Sequence, residues 1–287
     1  MNLIKNIQFQ QLLNLTLLTL LAYSNNLLYP SLFTVLSLIL FAIAFEAILN
    51  YLVDKKIFIP YSAAITAFGI ILMLGWSRWY IPYILIALSL FQKKFLKIDG
   101  YHIFNPSNFA LIAALLIFFP KAMPIIGQLG KDIITLYIVI ILGVFILIRV
   151  NRWLISLSFF ISFFILSYAL FKNLDPYWQI DEFILKFYST SFIVYIFFML
   201  TDPRTTPNAL KYQALFGFLV ALCAVLLDFF TGEHLKNIFI SLFFVSALCA
   251  VCSHPITNKK LYFLILAVTS IISILLVNQP SKYFIIN

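Results

Sequence analysis

Charge is what this 287-residue chain has least of: Asp, Glu, Lys and Arg together make 10% of it, against 63% hydrophobic residues. So thin a polar complement cannot cover a water-soluble domain, and apolar runs of membrane length point instead to an all-α polytopic membrane protein. Cysteine is scarce too. Three thiols make no disulfide framework, and "CAVCSH" at 249–254 has a serine where a covalent haem motif needs its histidine. With Cys223 the one other thiol, soft ligands are too few for a metal or an iron-sulfur cluster. No small-residue cleavage signature follows the first apolar run, which reads as a retained helix. The formal charge of +9 is what basic membrane loops produce and calls for no nucleic acid.

What is present is about eleven apolar segments, near residues 8–25, 27–53, 57–75, 79–92, 106–120, 132–150, 152–171, 186–200, 209–230, 236–253 and 261–278. The segments at 79–92, 106–120 and 186–200 are short for crossing about 30 Å of hydrocarbon at about 1.5 Å per residue. They read as half-helices joined to non-helical chain inside the membrane, tolerated only where protein or a cavity satisfies the backbone. With alternating sides, twelve of the nineteen basic residues, including Lys55, Lys56, Lys93, Lys94, Lys97, Arg152 and Arg204, share the side of the N-terminus. That excess predicts a cytoplasmic N-terminus in a bacterial inner (cytoplasmic) membrane protein.

Histidine, with only three copies, falls in a repeat. "GYHIFNP" begins at Gly100 and "GEHLKN" at Gly232, both with the skeleton Gly-x-His-x-x-Asn. Upstream, "YSAAITAFGIILML" at 61–74 resembles "YSTSFIVYIFFML" at 188–200. The first of these leaves the basic side after "DKK" and the second approaches it from the acidic loop "KNLDPYWQIDE", so the copies run antiparallel. The expected architecture is two inverted five-helix repeats with short or broken helices, residues 1–125 and 126–256, and an extra C-terminal helix and tail at 257–287. His102 and His234 are then symmetry mates near opposite membrane faces, too far apart for shared haem ligation. Glu46 and Asp228, near span ends, read as carboxylates that snorkel to the interface.

Four strings carry a family likeness: "EAILNYLVDKK", "SAAITAFGIILML", "FQKKFLKIDGYHIFNPSNFALIAALL" and "FFMLTDPRTTPNALKYQALFGFLVAL". They resemble the NqrB-type membrane subunit of the sodium-pumping NADH:quinone reductase and the RnfD-type membrane subunit of the Rnf ferredoxin:NAD complex, from about residue 10 to about residue 256. The specific pieces are His102-Ile103-Phe104-Asn105-Pro106 and Thr201-Asp202-Pro203-Arg204-Thr205. The likeness implies two inverted five-helix repeats similar to urea channels, flavin binding, electron transfer between flavins, and a redox partner protein or complex subunits. One feature departs from the family. Relatives carry a Ser-x-Ala-Thr sequence whose threonine takes FMN through a phosphoester, whereas "PKAMPIIGQLGKD" here has no hydroxyl side chain. Covalent FMN is not expected there, and "YSTSF" at 188–192 keeps hydroxyls without the motif.

The expected cofactor is therefore riboflavin or FMN held noncovalently. Asn105 suits an N-cap and Pro106 the first turn of a helix whose positive end would face an anion or a flavin. Arg204 suits a phosphate or carboxylate. Candidate cofactor contacts are His102, Asn105, Asn108, Thr201, Asp202, Arg204, Thr205 and Ser189. No Rossmann fingerprint or cluster ligand set is encoded, so this chain would be a component of a membrane oxidoreductase without a complete catalytic set. Two further readings stay open: a channel or transporter for a small solute, a flavin included, and an anchor subunit of a larger complex.

Overall fold

The computed structural model describes residues 6–55, 58–125, 133–174, 189–253 and 259–279, together with Ile180, Ile184 and Phe187. Eleven α-helices lie in the described residues: α1 (Ile7–Ser24), α2 (Leu32–Asp54), α3 (Tyr61–Met73), α4 (Ile81–Phe95), α5 (Pro106–Ala113), α6 (Ile133–Val150), α7 (Trp153–Leu174), α8 (Thr190–Val194), α9 (Leu210–Thr231), α10 (His234–Ser253) and α11 (Lys259–Val277). Six are long and apolar enough to cross a membrane, and three more apolar helices, Tyr61–Met73, Pro106–Phe118 and Thr190–Met199, are shorter. The protein is an all-α polytopic membrane protein. Most of the acidic loop at 172–182, the end of the connection at 126–132 beside the expected 125/126 boundary, and His254 lie outside the described residues.

Among the described residues four short strands interrupt the helices. Leu74–Trp76 (β1) pairs antiparallel with Ala122–Pro124 (β4), and Lys97–Ile98 (β2) with Tyr101–His102 (β3). The first pairing corrects one expectation: the segment at 57–75 is short as well, because the chain leaves α3 at Leu74 to satisfy its backbone against β4. Non-helical chain is tolerated at such depth when a neighbour supplies the hydrogen bonds. Two π-turns, Ala114–Phe118 after α5 and Tyr195–Met199 after α8, extend the broken helices.

The helices pair in the same way in both halves. In the first, α3 packs on α1 and α2, and α4 on α2 and α5; in the second, the α8 segment packs on α6 and α7, and α9 on α7 and α10. The halves meet where corresponding helices touch, α1 on α6 and α5 on α10. The Asn14 amide donates to Leu142 O at 3.2 Å across the first contact, and the Asn108 amide to Phe239 O at 3.2 Å across the second. Gly100 and Gly232 are both left-handed (φ 83° and 71°) with open space around a would-be Cβ, so conformation and not crowding selects glycine in both copies. The copies diverge after that. Asn105 precedes its helix as a cap, whereas α10 starts at His234 and leaves Asn237 in its first turn.

Candidate functional site

Asp99 and Gly100, at φ 49° and 83°, make the tight turn of the β2–β3 hairpin, a geometry that an Asp-Gly pair accepts readily. The hairpin delivers His102 to the second half of the molecule. Its Nε2 lies 3.2 Å from Asp202 Oδ2. Three residues on, Asn105 caps α5 by accepting from Asn108 N at 3.0 Å, and its amide donates to Met199 O at 3.3 Å and Asp202 Oδ2 at 3.4 Å. Asp202 is thus the point where both halves converge. Its other oxygen accepts from Arg204 N at 3.0 Å, and its carbonyl receives the Thr205 and Thr206 hydroxyls. Beneath this turn Arg152 donates to Thr206 Oγ1 at 3.1 Å, to Pro203 O at 3.4 Å and to Asn208 Oδ1.

Above it lies a cavity of about 710 Å³ between the halves. His102, Asn105, Thr201, Asp202 and Arg204 line it, so the structure brings together five of the eight expected residues. Thr205 lines a neighbouring groove. Asn108 is buried in the α5–α10 seam, and Ser189 occupies the N-cap position at the opposite end of the α8 segment without a side-chain capping bond. The cavity also holds groups that sequence reasoning missed. Lys93 Nζ donates to Glu46 Oε1 at 2.6 Å and to Ser62 Oγ at 2.7 Å, while Lys94 Nζ donates to Asn50 Oδ1 at 2.7 Å and pairs with Asp54. Glu46 therefore does not snorkel; it is 9% exposed and salt-bridged. Asp228, 2% exposed, is likewise buried, against His234. The sequence holds a usable signal: Glu46, Asn50 and Asp54 recur every four residues and so share a face of α2.

His234 sits at the far end of α9, whose 22 residues span about 33 Å, from the turn that receives His102. The two histidines stand at opposite ends of the molecule, each against a carboxylate. The thiols differ from the default of buried cysteine: Cys223 and Cys249 are half-buried and Cys252 is exposed.

Burial alone would push the Asp202 carboxyl up. His102 beside it, the Arg204 N–H and the charge of Lys93 outweigh that and hold it below the usual 3.8. A depressed native pKa means that the ionised form favours the fold. The contribution is complete above the ordinary value and is lost as pH falls through the lower native one. Acidification of detergent-solubilised protein should therefore shrink the stability difference between the unsubstituted chain and Asp202→Asn, read as the gap between their unfolding temperatures. A gap that is constant from neutral pH to below the ordinary carboxylate range would contradict it.

Residues 124–262 match the NQR2, RnfD, RnfE family. The matched stretch begins at the last residue of β4 and covers all of α6–α10 and the start of α11, just under half the chain. It contains Thr201, Asp202, Arg204 and Thr205 and agrees with the resemblance read from the sequence. A search of curated proteins found no match. The six long apolar helices make this a multi-pass membrane protein, and the match over residues 124–262 supports a membrane subunit of an electron transport complex.

Proposed function

We propose that the protein is a redox subunit of a bacterial inner-membrane complex, with a cytoplasmic N-terminus, that holds riboflavin or FMN noncovalently in the cavity between its halves. One observation carries the reading: the polar end of the cavity is assembled from both halves, Asn105 and Lys93 from the first and Asp202 and Arg204 from the second. Around it, Tyr61, Phe58, Phe197 and Phe198 offer aromatic walls for an isoalloxazine ring. Lys97 and Arg204, both exposed to the cavity mouth, suit a phosphate or the ring's electron-rich edge. The flavin would supply the electron chemistry; the chain supplies position, charge and exclusion of lipid. Electrons would reach it from a partner subunit, and the two five-helix units would meet at residues 125/126.

A second reading, transport of a small solute or of a flavin itself, is favoured by a cavity lined from both parts of the chain; if those parts are inverted repeats, that is where transporters hold their substrates. One measurement separates the two. Protein purified in mild detergent should show visible flavin absorbance that passes to the supernatant on acid precipitation, and colourless protein would favour transport or anchoring. Asn105→Ala and Arg204→Ala should each lower flavin occupancy by roughly tenfold, the effect of losing one hydrogen bond to a charged or strongly polar group. Unchanged occupancy in both removes them from the site.

A further inference from the structure

Beside the cavity, on the other side of the Asp202 turn, lies a groove of about 600 Å³. Its walls are the β2–β3 hairpin, the turn at 203–208, and the facing sides of α9 and α10. The lining has two parts. Along the helices it is apolar, with Phe216 and Leu219 on α9 facing Val245 and Leu248 on α10. At one end it is polar, with Arg204, Thr205 and Asn208. No carboxylate lines the groove, and the Arg204 guanidinium has no ion-pair partner among the described residues. Leu215 and Tyr212, which also line it, belong to the exposed face of α9, so the groove is continuous with the surface that meets lipid.

We propose that this groove is a binding site for one anionic phospholipid, its headgroup phosphate on Arg204 and an acyl chain laid between α9 and α10. The two-part lining selects the occupant. A free anion would use Arg204 and leave the apolar length unfilled. A neutral lipid would fill that length and leave an unpaired guanidinium at the interface, where a phosphate matches its paired donors. Basic pockets between membrane helices take anionic headgroups for this reason. The site is separate from the proposed flavin cavity, although Arg204 stands in the wall between them. Leu219 lines the groove and not the cavity, which allows the two readings to fail independently.

The chain carries its own reporters. Cys249 and Cys252 line the groove, and Cys223 does not. In nanodiscs of dioleoylphosphatidylglycerol, maleimide modification of Cys249 should be slowed about tenfold relative to dioleoylphosphatidylcholine, as expected for one charge-assisted contact, with Cys223 unaffected. Arg204→Ala should abolish that lipid preference and Arg204→Lys should keep part of it. Leu219→Trp, which fills the groove, should remove the preference while leaving flavin occupancy unchanged. Equal protection by both lipids, or a preference that survives Arg204→Ala, would overturn the assignment. So would equal protection by inorganic phosphate in phosphatidylcholine discs, since that needs no acyl chain.

Discussion

Lys93→Met is expected to destabilise the folded protein in detergent by about 3 kcal/mol, the low end of the range for removing one partner of a buried ion pair. Lys93 and Glu46 have side chains 15% and 12% exposed, facing a cavity wide enough for water, which argues for the low end. The physical reason is asymmetry. With Lys93 present, Glu46 is neutralised at 2.6 Å; without it, the carboxylate keeps one weak contact, with Ser62 Oγ at 3.5 Å. Glu46→Gln combined with Lys93→Met removes both charges and should recover most of the loss. Thermal unfolding of the single and double variants checks this. A double variant as unstable as Lys93→Met alone would mean that the stem of the lysine, not its charge, supports α2 against α4.

Gly217→Val is expected to cost about 3 kcal/mol, at the top of the overpacking range. A Cβ at this position would sit 2.5 Å from the carbonyl oxygen of Ile155 and 3.0 Å from Phe159 N. Both are backbone atoms of α7, so nothing yields by a rotamer change, and α7 and α9 must separate. Ser158 Oγ, which donates to Ala214 O at 2.7 Å across the same contact, would be pulled away as well. Small residues permit this approach of two membrane helices, whose association depends on packing. Gly100→Ala supplies the contrast: nothing lies within 4 Å of its Cβ, and only the left-handed φ of 83° resists the change. There the cost is that of the left-handed backbone alone, about 1–2 kcal/mol. If the glycine-to-valine and glycine-to-alanine changes lower the unfolding temperature equally, backbone crowding is not the cause.

Eleven apolar segments appear as eleven helices within a few residues of their expected limits, because the length of an apolar run is a local property. A shared local turn is also legible, since Gly100 and Gly232 recur in matching frames and both adopt the left-handed conformation. At the site, the Asn105 cap and the Asp202 turn follow from local chemistry. What Asp202 accepts does not: His102 and Asn105 reach it from 100 and 97 residues away. Glu46 departs from expectation for the same reason. Near a helix end a carboxylate can reach water unless a cation stands nearer, and Lys93 comes from a different helix, 47 residues on.

Composition and pattern alone thus determined that the chain crosses the membrane many times, with several helices too short to cross it alone. Hydrophobic length, positive charge on loops and glycine's left-handed turns act over a handful of residues. Tertiary structure decided which polar groups meet: the buried Lys93–Glu46 pair, the His102–Asp202 contact across the seam, and the groove under Arg204. Those depend on how two folded halves dock, and no short stretch of sequence encodes a contact between residues a hundred positions apart.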